Sequence, residues 1–303
     1  MIKIVNNIKK ANLITHSGSF HADDVFATAL MSKIIKNPKV FRINNFDDSI
    51  KTDAIVYDIG GGKFDHHQKD SEYRKGDLIK YSSIGLLWRE FGLDYIKKIT
   101  NHDPMVIFQK IDEGLILQID AIDNGIFPII EADYRVKTLS DVIAMLNPTW
   151  DKQDELNDRF KEAVNLAEKI LDLEIDKVIS KLDAKDKVND AINNVDDGIL
   201  ILDKFMPFKD FILDSEKGEN IKFVITPSQR EGYTVHTVPI SKDNREPRIK
   251  FKKSWGGLRQ KELQEKSKVE TAIFVHPDLF IGGAYNLEDA IKLAQLAINN
   301  NSK

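Results

Sequence analysis

Ala54-Ile55-Val56-Tyr57-Asp58-Ile59-Gly60-Gly61-Gly62, followed by Phe64-Asp65-His66-His67-Gln68, is the stretch from which the fold is read. A short apolar run closed by an acid and glycines is the pattern of a buried strand that stops at a turn. Asp58 then stands at a strand end, and Asp65-His66-His67 sets a carboxylate beside two imidazoles. Working outward, Ala11-Asn12-Leu13-Ile14-Thr15 and Val40-Phe41-Arg42-Ile43 read as further strands. A helix between them runs from Asp23 or Asp24, as N-cap, to Ile35, with Asn37-Pro38 as its stop. Ile84 to Phe91 reads as another helix, ended by Gly92. This alternation predicts an α/β fold with a mainly parallel, doubly wound sheet over residues 1–150.

In open α/β sheets ligands bind outside the carboxyl ends of the strands. His16 and Asp58 both fall there, so Thr15-His16-Ser17-Gly18-Ser19-Phe20-His21-Ala22-Asp23-Asp24 and the Asp58–His67 segment can converge. Past residue 150 the pattern changes. Val164, Ala167, Leu171, Val178 and Leu182 follow Phe160 at helical spacing, which predicts a long linking helix over 151–190, with apolar density falling near 183–187. Strand-like runs at 199–202, 221–225, 233–238 and 271–275, then an amphipathic helix at 287–299, predict a smaller α/β domain over 191–303.

The 303 residues are 42% hydrophobic and 30% charged, as expected of a soluble globular chain. No apolar run reaches the ~20 residues that span a bilayer, so no membrane role is expected. The N-terminus carries neither a signal-peptide core nor a transit composition. With no cysteine there is no disulfide framework and no thiolate chemistry; a cytoplasmic protein is the expectation. A net charge of −4 argues against coating long nucleic acid and leaves room for a short anionic substrate gripped locally. A homo-oligomer is compatible with all of this.

Candidate metal ligands are His16, His21 and Asp23 from the first loop, Asp58 from a strand end, and His66 or His67 from the next loop. Asp120 and Asp123 add a third acidic element, three residues apart and so on one face of a helix. A lone His-His pair is commonly a surface accident, but three clusters on strand-end loops are not. So many N/O ligands exceed one tetrahedral zinc and suit two ions, Mn²⁺ best, with Mg²⁺, Fe²⁺, Co²⁺ and Zn²⁺ also admitted. Two metals ~3.5–4 Å apart generate hydroxide from water and stabilise a phosphoryl transition state. Arg248, Lys250, Lys252, Lys253 and Arg259 form a locally basic stretch, in which Gly256-Gly257 lets backbone approach a ligand beside Arg259. His276 precedes a loop closed by Gly282-Gly283. Trp255 is a candidate for base stacking; Trp88, at helical spacing, reads as core, and His102 and His236 as structural.

Asp65-His66-His67 resembles the signature of the DHH phosphoesterase superfamily. Within it, Thr15-His16-x-Gly18-x-Phe20-His21-x-Asp23, Asp58-Ile59-Gly60 with Phe64-Asp65-His66-His67-Gln68, and Asp120-Ala121-Ile122-Asp123-Asn124-Gly125 resemble the MYG-type (melanocyte proliferating gene) exonuclease family. Trp255-Gly256-Gly257-Leu258-Arg259, Phe274-Val275-His276-Pro277 and Phe280-Ile281-Gly282-Gly283 extend the resemblance across nearly the whole chain. It implies a DHH-type α/β domain, a second domain contributing to the active site, and a manganese-type dinuclear centre. His16, His21 and Asp58 would hold one ion; Asp23, Asp58, His66 and Asp123 the other, with Asp120 in support. His67 would face the phosphate, and Asp65 would orient an imidazole. Arg259, His276, Gly282, Gly283 and Lys252 would contact substrate. The implied activity is 3′→5′ exonuclease action on RNA or short oligonucleotides. Hydrolysis of a small phosphoanhydride or dinucleotide, or a metal-dependent binding module without turnover, are the alternatives. His21 departs from the superfamily's commoner first motif, which has a carboxylate there, and lowers the negative charge of the site.

Overall fold

A computed structural model describes residues 1–47, 49–74, 76, 78–195 and 197–301. They form two compact units, Met1–Ile179 and Ser180–Lys303. In the first, β1 (Lys3–Ile4), β2 (Leu13–His16), β3 (Lys39–Ile43) and β4 (Ile55–Val56) make a parallel sheet in the order β1-β3-β2-β4. Leu13 lies opposite Val40 on one side and Ile55 on the other. Leu13 and Ile14 are fully buried, as a run apolar on both faces requires. The chain leaves β2 for β3 and returns on its far side as β4, so the ends of β2 and β4 are neighbours. That is the crevice where open α/β sheets place ligands.

Helix α1 (Ala22–Ile34) follows β2, and every residue from Ala22 to Met31 is buried. Its N-cap is His21, not an aspartate. Asp24, three residues on, closes the first turn instead, its Oδ1 accepting the His21 N–H at 2.9 Å. The helix is enclosed on all sides, so Asp23 and Asp24 are drawn inward rather than left at the solvated cap.

The next helical run does not end at Gly92. α2 (Ser83–Leu87) passes through a wide π-type turn, Trp88–Gly92, into α3 (Leu93–Lys97). Gly92 has helical angles, and a Cβ there would lie 2.6 Å from the fully buried Trp88 ring. It serves close packing, not termination. α4 (Pro104–Ile111), α5 (Leu117–Asp123) and α6 (Leu139–Ala144) complete the helices before α7 (Leu156–Asn193). α7 continues through 183–187, because buried Ala184 and Val188 keep an apolar stripe where overall apolar density is low.

The second unit contains β5 (Ile199–Ile201), α8 (Lys209–Leu213), β6 (Phe223–Pro227), β7 (Tyr233–Thr237), α9 (Gln260–Ser267), β8 (Ala272–Val275), β9 (Ile281–Ala284) and α10 (Leu287–Asn301). The sheet order is β5-β6-β7-β9-β8, parallel at β5·β6 and antiparallel elsewhere. Gly282 and Gly283 are therefore strand residues, not a loop closure. A Cβ on Gly283 would lie 2.9 Å from the Tyr233 carbonyl. Phe223, Phe251, Leu263, Leu293 and Trp255 share one core; Trp255 is 2% exposed, so its ring faces are taken up by packing and not free for a base. No described helix is long and apolar enough to cross a membrane.

Candidate metal centre

The site begins where β4 ends. Buried Tyr57 bridges to Phe64, and the Asp58 N–H donates to the Phe64 carbonyl at 3.1 Å. Closing this loop puts Asp58 at φ +59°, a left-handed conformation costing a non-glycine residue ~1–3 kcal/mol, with Asp among those that tolerate it best. The reward is aim. Asp58 Oδ2 lies 3.1 Å from His16 Nε2, and Oδ1 lies 3.3 Å from His66 Nε2. The buried Ser83 hydroxyl donates to Oδ1 at 3.0 Å.

Each imidazole meets further carboxylates. His16 Nε2 is 3.3 Å from Asp24 Oδ2. His66 Nε2 is 3.1 Å from Asp123 Oδ2 and 3.5 Å from Asp23 Oδ2. Among the described residues, His16–Asp24–Asp58, Asp58–His66–His67 and His21–Asp23–Asp123 are three groups that could hold metal ions. Octahedral bonds of ~2.1 Å put neighbouring ligand atoms ~3.0 Å apart, so the spacings fit. The strongest sign is chemical. Asp23 Oδ1 and Asp24 Oδ2 are buried and make no hydrogen bond, a lack that a cation held beside them would compensate.

Burial opposes charge on His16, but the Asp58 hydrogen bond and the charges of Asp24 and Asp58 outweigh it and raise its pKa to about 9. Burial is likewise outweighed at His66, where Asp23 and Asp58 raise it to about 10. For Asp58 burial acts upward, yet the bonds to His16 and His66 hold it well below the ordinary carboxylate range. Burial, then the charge of Asp23, pushes Asp123 up to about 8. A cation bound here would compete with protons for the same atoms.

Asp65 holds His67 rather than His66. Its Oδ2 accepts the Gly61 N–H at 2.7 Å; its Oδ1 accepts the His67 N–H at 3.0 Å and lies 2.9 Å from His67 Nδ1. That bond raises the His67 pKa. The His67 ring is largely exposed, with Nδ1 3.6 Å from Asp58 Oδ1. Asp120 stands apart from the imidazoles and does not join the ligand groups. Its Oδ1 accepts the Ser82 N–H and hydroxyl at 3.0 and 2.6 Å, and its Oδ2 accepts Arg74 Nε at 2.6 Å. Both oxygens are engaged, Oδ1 in holding the start of α2, the helix that carries Ser83, and Oδ2 in pairing with Arg74.

Several positioning residues carry no motif signal. Arg42 donates to the carbonyls of His16 and Gly18 at 3.2 and 2.8 Å and lies over the Phe160 ring. The Asn147 amide pairs with both the N–H and the C=O of Phe20, at 2.9 and 2.8 Å. Together they pin the first loop. Asp24 carries no ligand signal in the sequence, because an acid at a helix start reads as a cap.

A cleft of 670 Å³ opens on the site, lined by His21, His66, His67, Lys80, Asp123 and Phe127 among others. The residues expected to contact substrate all lie in the second unit. Arg259 borders a separate 530 Å³ cleft there with Arg230, Tyr233, Phe274 and Tyr285. Lys252 Nζ lies 5.0 Å from the Trp255 ring. His276 Nδ1 accepts the Asp278 N–H at 3.1 Å and its ring packs on Phe280. Arg248 staples a backbone turn, donating to the carbonyls of Gly218, Glu219 and Ile221. Burial lowers His236 to about 4, and its ring packs on Phe205 and Phe208, so it is neutral and structural.

The family model MYG1_exonuc, described as "Uncharacterised protein family (UPF0160)", matches residues 12–298. The chain belongs to the MYG1 exonuclease family. The match contains every residue of the carboxylate–imidazole groups. MYG1 protein YER156C of Saccharomyces cerevisiae is 30% identical, with 97% of each chain covered. The MYG1 exonuclease of Homo sapiens is 29% identical, covering 95% of this chain and 86% of the human one. A solved structure titled pGpG-specific phosphodiesterase aligns over 98% of this chain at 12% identity and a TM-score of 0.28, too loose to argue from.

Proposed function

We propose that this MYG1 family member is a metal-dependent phosphodiester hydrolase, a 3′→5′ exonuclease on RNA or short oligonucleotides. The proposal takes the first sheet as a DHH-type doubly wound core holding two divalent ions, Mn²⁺ foremost. The observation that carries it is the Asp58 carboxylate, whose two oxygens face two different imidazoles at 3.1 and 3.3 Å. A carboxylate so placed suits a bridge between two cations. One would be held by His16, Asp24 and Asp58, the other by Asp23, Asp58, His66 and Asp123, with His21 beside Asp23 and Asp123. Asp24 thus joins the expected ligands, and Asp120 acts through Ser82. When bound, the ions supply a nucleophile from water and neutralise phosphoryl oxygens.

The chain's own residues do the rest. Asp65 fixes the His67 ring and, through its bond to Nδ1, favours the protonated imidazole that would donate to a phosphate oxygen. Ser83 and the strained Asp58 backbone hold the bridging carboxylate in place. The exonuclease name of the human relative supports the reaction class, and the net charge of −4 favours short substrates. The test is a panel of 5′-labelled RNA, DNA, dinucleotide and pyrophosphate, each with Mn²⁺, Mg²⁺ or chelator. Laddering from the 3′ end of oligonucleotides, abolished by chelator, is expected. Cleavage of pyrophosphate alone, or hydrolysis that survives chelation, rejects the reading.

A further inference from the structure

The segment after α5 is exposed where its composition says it should be buried. Ile126 is 42% exposed, Phe127 66%, Ile129 99% and Ile130 50%. Apolar surface of this kind beside a charged cleft marks a binding surface. The turn into it is built. Gly125 at φ +76° ends α5, with its N–H donating to the Ile122 carbonyl and the Ile126 N–H to the Ala121 carbonyl at 2.8 Å. This pair of bonds is a Schellman closure, which fixes the exit direction of the chain. Asp123, at the end of α5, faces His66, and Phe127, four residues on, lines the same cleft. Half-buried Lys80 lines that cleft too, and its carbonyl accepts from the Asn124 side chain, tying it to the same turn. Phe127 also borders a second cleft of 260 Å³ with Tyr134 and Val136, so its ring stands as a wall between two openings.

We propose that Phe127 is the stacking platform for the base of the terminal nucleotide, with Lys80 facing its phosphate, so that the site selects a nucleotide over a bare phosphate or pyrophosphate. This rests on the phosphodiesterase reading and adds to it the group that recognises the leaving nucleotide. An aromatic ring offers a face to any base, so the selection is for a base and not for its identity.

The test is calorimetric binding to the Mn²⁺-loaded full chain, with adenosine 5′-monophosphate and ribose 5-phosphate as probes. Stacking of one base on the ring predicts a preference for the nucleotide of roughly five-fold or more. Phe127→Ala is expected to remove that preference while ribose 5-phosphate binding is unchanged, and Phe127→Trp to keep it. Phe127 is exposed, and unchanged Mn²⁺ binding shows that each variant is intact. Equal affinity for the two probes in the parent chain, binding of neither, or a preference that survives in Phe127→Ala overturns the proposal. Oligonucleotide hydrolysis without base preference would remove the platform and leave the hydrolase reading. Base preference without hydrolysis would do the reverse.

Discussion

Asp58 is required for its charge and tolerated for its backbone. Asparagine shares its ease in the left-handed region, so Asp58→Asn should fold normally while losing the anionic bridge between His16 and His66. Mn²⁺ affinity and hydrolysis should each fall by more than ~100-fold, beyond what outer-shell changes cost; calorimetry showing parental Mn²⁺ binding would reject the bridging role. The two acids of α5 should separate by a similar logic. Asp120→Ala leaves buried Arg74 with Asp112 alone and should cost ~3–5 kcal/mol of stability, with two Mn²⁺ still bound but less tightly because Ser82 is released. Asp123→Asn should lose metal and leave the metal-free melting temperature unchanged or higher, since burial already disfavours its charge. His16 and Asp58 were legible from sequence because a strand end is a local pattern and the crevice rule is general. Asp24, Ser83 and Asn147 were not, because common polar residues gain their meaning only from neighbours remote in sequence.

At the level of elements, the hinge of the site is the start of α2. Asp120 grips Ser82, and Ser83 then donates to Asp58. Gly85, one turn on, permits this, since a Cβ there would overlap the Asp120 carboxylate. Gly85→Ala should therefore overpack the contact, costing ~1–3 kcal/mol and weakening Mn²⁺ binding although Gly85 touches no metal ligand. A melting temperature and an Mn²⁺ affinity both equal to those of the parent chain would contradict this. The glycines also show where reading a sequence runs out. In sequence Gly92 reads as a stop and the Gly282-Gly283 pair as a loop, yet each is small because a ring or a neighbouring strand lies against it. Glycine marks either a turn or a close approach, and only the tertiary partner says which. Alternating strands and helices, by contrast, are set by periodicity, so β2, α1, β3 and β4 were legible in order, while the two-residue edge strand β1 was too short to carry a pattern.

For the whole molecule, the clustered ligands tie stability to pH. His16 and His66 titrate at about 9 and about 10 in the folded chain against an ordinary 6.5. Their stabilising effect is complete below the lower value and lost as pH rises through the upper ones. Asp123, raised from 3.8 to about 8, has the same sign. Asp58 has the opposite sign, but its window lies below the ordinary carboxylate range. Metal-free protein should thus melt lower at about pH 9 than at about pH 6. Added Mn²⁺, which needs deprotonated ligands, should stabilise more at the higher pH. Thermal melts at both values, with and without Mn²⁺, decide it; a metal-free melting temperature that climbs with pH would contradict the shifts.

Asp24 holds the His21 amide with one oxygen and turns the other toward His16. If Asp24 holds an ion as proposed, its release and the fraying of the first turn of α1 would share a single side-chain rotation. The residence time of the ion would then be limited by how often that turn opens. The exchange rate of the His21 amide with solvent deuterium should report the off-rate directly, slowing in step with metal loading.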